Sequence, residues 1–129
     1  MSQERETDSE KAGDPEVPSF WAYMPATIEA LRARSGSATV QDLLEDVPAR
    51  MGLTPEQRAV PHDSETSGQT EVGYRLAWAR TYLKKAGLIH SPARGTWALT
   101  PQGMEARDLD GRALAREIRA QAPKPQAES

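Results

Sequence analysis

The sequence predicts a mainly α-helical domain with a small β-hairpin, in the order of a winged helix-turn-helix. Segments with apolar residues at helical spacing come first, and two short strand-like runs around a glycine turn follow residue 87. The stretch Val72–Met104 contains no Asp or Glu, although the whole chain has 19 acidic and 16 basic residues. A basic helix that leads into a short hairpin is typical of winged-helix DNA binders.

The first two helices have recognisable start and stop residues. Apolar residues at helical spacing predict a helix over Tyr23–Arg34, which Ser35-Gly36 ends. Thr39 is the expected N-cap of a second helix over Val40–Met51. Pro48 lies inside this pattern, so the second helix is expected to kink or to end early.

The next elements lead to the basic helix. Thr54 and Gln57 have the spacing of a capping box and predict a short helical turn. Residues 61–70 are polar and rich in helix breakers, which predicts a loop. A third main helix is expected over Glu71–Ala86, where apolar residues step by four and three, with Gly87 as its C-cap.

A hairpin and a last helix complete the order. Leu88–Ser91 and Thr96–Leu99 are predicted strands that join around Arg94-Gly95. Thr100 is expected to cap a fourth helix, which Asp110-Gly111 can break. Its apolar face would carry Met104, Leu109, Leu114 and Ile118.

The charge distribution suggests three regions. Residues 1–16 contain six acids and two bases, so their net charge of −4 leaves +1 for the rest of a chain whose total is −3. Their low hydrophobicity predicts a disordered acidic tail over 1–18. We expect a winged-helix domain over 19–110, then a helical extension and flexible tail over 111–129.

Several classes of function are not expected. The chain has no cysteine and two histidines, so neither a metal site nor a cofactor is predicted. Its acids lie in the tails and the second helix, and a His62-Asp63-Ser64 loop tripeptide cannot align a catalytic triad, so no enzyme is expected. No apolar run approaches the ~18 residues of a membrane span, and no apolar signal core is present, which predicts a cytoplasmic protein.

The basic helix and the hairpin tip supply the candidate DNA contacts. A projection at about 100° per residue separates an apolar side around Val72 from a side with small and basic residues. Such a side suits the major groove, and an arginine at a hairpin tip suits a phosphate or the minor groove. The alternative is a charged face that only solvates the helix. The predicted DNA-binding residues are Thr70, Tyr74, Arg80, Thr81, Lys84, Lys85 and Arg94.

Other residues of this region are expected to hold the fold. Trp78 and Tyr82 lie one turn apart on a flank of the helix, where core packing is favoured over base stacking. Arg75 lies on the same flank and is expected to stack on Trp78. The predicted structural residues are Arg75, Trp78, Leu83, Gly87, Gly95 and Trp97.

The phrase WARTYLKKAGLIHSPARGTWALTPQG, with Arg75 before it, resembles the N-terminal domain of Mrr-type restriction systems. The resemblance covers roughly residues 20 to 105. It implies a winged-helix DNA-binding domain, which in that family usually precedes a nuclease that cuts modified DNA. No such nuclease domain follows the motif in this sequence, so we expect a targeting or regulatory module without its own catalytic domain.

The partners expected from this interpretation are double-stranded DNA and a separately encoded nuclease, and a homodimer is left open. The alternative function is a protein–protein interaction winged-helix domain in a defence or regulatory complex. A third hypothesis has the acidic tail fold back on the basic helix and compete with DNA.

Overall fold

The computed structural model describes residues 16–62 and 69–121. A 3-10 turn, Phe20–Ala22, precedes the first helix. The elements that follow are α1 (Tyr23–Ala33), β1 (Ser37–Thr39), α2 (Val40–Met51), α3 (Pro55–Ala59), α4 (Glu71–Lys85), β2 (Ile89–Ala93), β3 (Thr96–Leu99), α5 (Pro101–Glu105) and α6 (Gly111–Gln121). The predicted fold class, mainly α with a small β-sheet in winged-helix order, is confirmed.

Local capping signals fix where the early helices begin. Thr54 forms the predicted capping box with Gln57, and Thr39 is the predicted N-cap of α2. Thr39 also forms a capping box with Asp42, which was not predicted. The prediction that Pro48 ends α2 early is wrong, because α2 runs on to Met51. Pro48 lies near the end of the helix, where it removes one backbone hydrogen bond, and its ring is buried in the core.

The sheet has three strands where the sequence predicted two. β3 lies in the centre, antiparallel to both β1 and β2, in the order β1-β3-β2. Ala38 pairs with Trp97, and Ile89 pairs with Leu99. β1 was not predicted, because three residues are too few to show the alternation of a strand.

The C-terminal part contains two helices. The fourth helix predicted from Thr100 is therefore broken, and it ends at Glu105, five residues before the Asp110-Gly111 break that the sequence predicted. α5 ends at Glu105, where Arg32 Nη2 donates to the carbonyl oxygens of Gly103, Met104 and Ala106 at 3.2, 3.1 and 2.7 Å. These bonds satisfy carbonyl groups that the helix end leaves free. Met104 is 48% exposed and does not belong to an apolar face.

The core lies between α1 and α4. Tyr23, Ile28 and Leu31 of α1 and Leu76 and Leu83 of α4 are almost fully buried. The sheet covers one end of this helix pair, and Ala115 and Ile118 of α6 close another side. This packing leaves one side of α4 free for the contacts considered below.

Replacing Tyr23 with phenylalanine is expected to raise the free energy of unfolding by about 1 kcal/mol at neutral pH. The Tyr23 ring is fully buried, and its hydroxyl has no hydrogen-bond partner among the described residues. The substitution removes the unpaired hydroxyl and retains the ring. Urea denaturation of both proteins measures the difference, and a less stable Tyr23→Phe protein would contradict the expectation.

The same substitution should change the alkaline stability. Burial raises the pKa of Tyr23 to about 12, although nearby Arg75 opposes the rise. In the unfolded chain the pKa of this tyrosine is near 10. The raised pKa in the folded protein therefore contributes fully to the free energy of unfolding below pH 10, and this contribution is lost as the pH rises to 12. Between pH 10 and 12, we expect the free energy of unfolding of the wild type to fall by about 2 to 3 kcal/mol more than that of Tyr23→Phe. Tyr82→Phe is the control, since Tyr82 is only partly buried.

Candidate nucleic-acid interface

Helix α4 is held in the domain by its N-cap and its apolar side. The Thr70 hydroxyl accepts a hydrogen bond from the Gly73 backbone N–H at 3.0 Å and so begins the helix. Val72, Leu76, Ala79 and Leu83 are buried against the rest of the core. Thr70, a predicted DNA contact, therefore has its hydroxyl engaged as the cap.

The opposite side of α4 faces solvent. Lys84 and Lys85 are exposed, Trp78 is 44% exposed, and Tyr74 and Thr81 are half-buried. We call these five residues the α4 outer face. The structure thus brings together four of the predicted contacts, Tyr74, Thr81, Lys84 and Lys85, and adds Trp78 to them.

Trp78 is not a core residue, and its assignment to the structural set is wrong. Its ring meets the Tyr82 ring edge-on, with centroids 6.3 Å apart. Trp78 lies about 120° around the helix from Val72, at the border of the outer face. Phe20 of the 3-10 turn packs on Tyr82 at a centroid distance of 4.7 Å and fills the flank that Trp78 was expected to occupy.

Arg75 holds the chain that enters the domain. Its Nε donates to Glu71 Oε2 at 2.6 Å, and its Nη1 donates to the carbonyl oxygens of Val17 and Pro18 at 2.7 and 2.9 Å. These contacts are compatible with the predicted structural role, but they involve no stacking of Arg75 on Trp78. Val17 is buried, so residues 16–18 pack on the domain. The rest of the predicted disordered tail, residues 1–15, lies outside the described residues.

His62 and Glu71 position Tyr74. The rings of His62 and Tyr74 stack with centroids 3.7 Å apart, and His62 Nδ1 lies 2.9 Å from Glu71 Oε1. Burial acts to raise the pKa of Glu71, but the hydrogen bonds from His62 and Arg75 outweigh it and hold that pKa below its usual range. Glu71 is the only acid of α4, and both of its carboxylate oxygens are engaged by these bonds.

Arg80 lies on a flank of α4 and not on the outer face, contrary to the prediction. Its guanidinium lies over the Trp97 ring, 5.8 Å from the centroid, and its Nε and Nη1 are buried without a hydrogen-bond partner among the described residues. Burial lowers the pKa of Arg80 from its ordinary value. Arg80 is only about 80° from Val72 around the helix, so β3 covers it.

The wing turn, Arg94-Gly95, joins β2 to β3. Gly95 has a φ of +74°, which favours glycine, as the sequence predicts. Its carbonyl oxygen accepts a hydrogen bond from the Val40 backbone N–H at 2.9 Å, so the turn is tied to the beginning of α2. Arg94 is exposed at this turn.

The remaining predicted structural residues are placed as follows. Leu83 is fully buried, and Trp97 packs partly buried against the core beneath Arg80. Gly87 follows the C-cap of α4 with a φ of +80°. Among residues 16–62 and 69–121, no group of three or more His, Asp or Glu side chains has the arrangement of a metal site. No helix in these ranges is long and apolar enough to cross a membrane.

Comparisons with known proteins identify the family. The model of the Mrr N-terminal domain matches residues 20–108. The Type IV methyl-directed restriction enzyme EcoKMrr of Escherichia coli strain K12 is 35% identical over 89 residues, which cover 69% of this chain and 28% of that enzyme. The chain thus matches less than a third of the length of this relative, and no solved structure matches it. The chain belongs to the Mrr N-terminal domain family and is a module related to restriction systems.

Proposed function

We propose that this protein binds double-stranded DNA through the α4 outer face and the wing turn, as a module that targets or regulates a restriction system. The observation that carries the proposal is the charge of the α4 outer face. Lys84 and Lys85 have no ion pair among the described residues, and the acid of the same helix, Glu71, is bonded to His62 and Arg75. An exposed cationic face without compensating acids is suited to phosphates.

The shape of α4 supports the same proposal. Its 15 residues give a length of about 22 Å, and the major groove is about 12 Å wide, enough to admit a helix. With α4 in the groove, Lys84, Lys85 and Arg94 are assigned to phosphates. Tyr74 and Thr81 lie nearer the middle of the outer face and are assigned to base edges.

The relative is named as methyl-directed, and we propose a preference for methylated bases here too. A base methyl group in the major groove is read by apolar contact, which the Thr81 methyl group and the exposed Trp78 ring can supply. The Thr81 hydroxyl donates to the Ala77 carbonyl oxygen at 3.1 Å, which orients this side chain.

Arg80 is assigned a positioning role. It links α4 to β3 through Trp97, so it fixes the helix relative to the wing turn. No ion pair neutralises its guanidinium among the described residues, so its charge adds to the positive potential of this side.

We further propose that the protein acts in the cytoplasm with a separately encoded nuclease and that the domain described here serves recognition. The match to 28% of a restriction enzyme supports a recognition role. The proposed division is an acidic N-terminal segment over 1–18, the winged-helix domain over 19–110 and an extension over 111–129. Dimerisation on a palindromic site is compatible with this arrangement.

A salt titration tests the proposed function. Fluorescence anisotropy with a labelled duplex should give a logarithm of affinity that falls linearly with the logarithm of salt concentration, with a slope of about −3 to −5. A duplex with methylated bases should bind more tightly than the same duplex without them. Absence of binding to every duplex at low ionic strength would contradict the proposal.

A further inference from the structure

A groove lies between α6 and the 3-10 turn, and its residues do not belong to the α4 outer face. Its volume is about 400 Å³. It is lined by Trp21, Arg112, Ala115, Arg116 and Arg119, which we call the arginine groove. Ala115 and Ile118 are buried and fix α6 against the domain, so its arginines point along the groove from an anchored helix.

Aromatic rings hold two of the three arginines. The Arg112 guanidinium lies over the Trp21 ring, 5.6 Å from its centroid. The Arg119 guanidinium lies 5.5 Å from the Phe20 centroid and 5.8 Å from the Tyr82 centroid, and its Nε bonds to the Tyr82 hydroxyl oxygen at 3.0 Å. These contacts restrict the side chains and leave their positive charge without a counterion.

The arginines are not paired with acids. No ion pair joins Arg112, Arg116 or Arg119 to a carboxylate in the described ranges, and the one acid within α6, Glu117, bonds to none of them. Arginines at steps of four and three residues lie about 6 and 4.5 Å apart along the helix axis. Their planar donor groups match phosphate oxygens in a bidentate manner. The groove is therefore suited to an extended anion.

The position of the groove favours DNA as that anion. Tyr82 belongs to α4 and meets Trp78 of the outer face edge-on. Arg80 and Trp97 mark the flank of α4 toward the sheet, whereas Tyr82 and Arg119 mark the opposite flank. The arginine groove thus borders the outer face on the side away from β3. A duplex seated on α4 would present a backbone to each flank.

We propose that the arginine groove binds the phosphate backbone of DNA, as a second anchor on the side of α4 away from the sheet. This inference rests on the proposed function and extends it. The groove depends on α6, whose residues 111–121 lie beyond the part that the family model matches, residues 20–108. The extended contact is therefore a feature of this chain that the family match does not assign.

The test is a salt titration of the full chain that carries Arg112→Gln and Arg116→Gln. Arg119 is left unchanged because it bonds to Tyr82. The double variant should lower the magnitude of the salt slope by about two and weaken binding to all duplexes by the same factor, about tenfold. Arg50→Gln with Arg58→Gln removes the same charge outside the groove and should leave the slope unchanged. Arg112→Lys with Arg116→Lys retains the charge and should retain most of the slope.

The outcomes separate the two proposals. If the wild type binds no duplex, the proposed function fails. If the wild type binds and Arg112→Gln/Arg116→Gln keeps its slope, the groove proposal is overturned and the proposed function stands. The competing ligand is the acidic segment 1–15, which contains five acids. Binding of a synthetic 1–15 peptide that the double variant abolishes, with an unchanged DNA slope, would also overturn the proposal.

Discussion

Changing Lys84, Lys85 and Arg94 together to glutamate is expected to lower duplex affinity by on the order of 10³-fold and to leave the fold intact. All three side chains are exposed and make no ion pair among the described residues. Each reversal removes an attraction to phosphate and adds a repulsion. Surface substitutions of this kind change stability little, so the far-ultraviolet circular dichroism spectrum and thermal midpoint should be preserved.

Arg80 is left out of this variant for a physical reason. Two of its guanidinium nitrogens are buried beside Trp97, so a glutamate there would place an unpaired carboxylate in a partly buried position. Loss of binding would then reflect a disturbed fold. Substitutions at the three exposed positions avoid this disturbance of the fold.

A matched pair of double variants controls for total charge. Lys84→Glu with Lys85→Glu and Arg50→Glu with Arg58→Glu change the net charge equally. The first should weaken binding strongly, and the second should weaken it only through long-range repulsion that salt screens. Equal losses in the two would mean that net charge, and not the α4 outer face, governs binding.

The features that the sequence predicted well are local. The N-cap at Thr39 and the capping box at Thr54 depend on residues within one helical turn, so they can be predicted directly from the sequence. The placement of Tyr74, Thr81, Lys84 and Lys85 on one side of α4 follows from helical periodicity alone. The DNA role of these residues stays a prediction.

The features that were missed depend on distant contacts. Strand β1 forms because Ala38 pairs with Trp97, which lies 59 residues later in the chain. Trp97 covers Arg80, and Phe20 packs on Tyr82 at the flank of α4, so neither contact could be predicted from α4 itself. The spacing of Arg112, Arg116 and Arg119 was visible in the sequence. The groove that they line depends on the packing of α6 beside Tyr82, which the spacing does not reveal.

The substitution Gly103→Ala is expected to give the largest loss of stability. Gly103 is a buried residue of α5, and a Cβ atom there would overlap the Leu88 carbonyl oxygen and lie 3.1 Å from Leu99 Cδ2. The Leu88 carbonyl also accepts a hydrogen bond from the Thr100 N–H at 3.0 Å, so it cannot move freely. At a solvent-exposed helix position, replacing glycine with alanine would raise the free energy of unfolding by up to about 1 kcal/mol. A loss of stability in Gly103→Ala would therefore report the overlap with Leu88.

We expect Gly103→Ala to lower the free energy of unfolding by about 3 kcal/mol or more, a large part of the 5 to 15 kcal/mol of a typical domain. Gly52→Ala is the control. Gly52 has a φ of +72° and open space around it, so alanine there should cost only about 1 kcal/mol of backbone strain. Urea denaturation of both variants measures the difference. Equal costs would mean that α5 can shift away from Leu88 and would contradict the prediction.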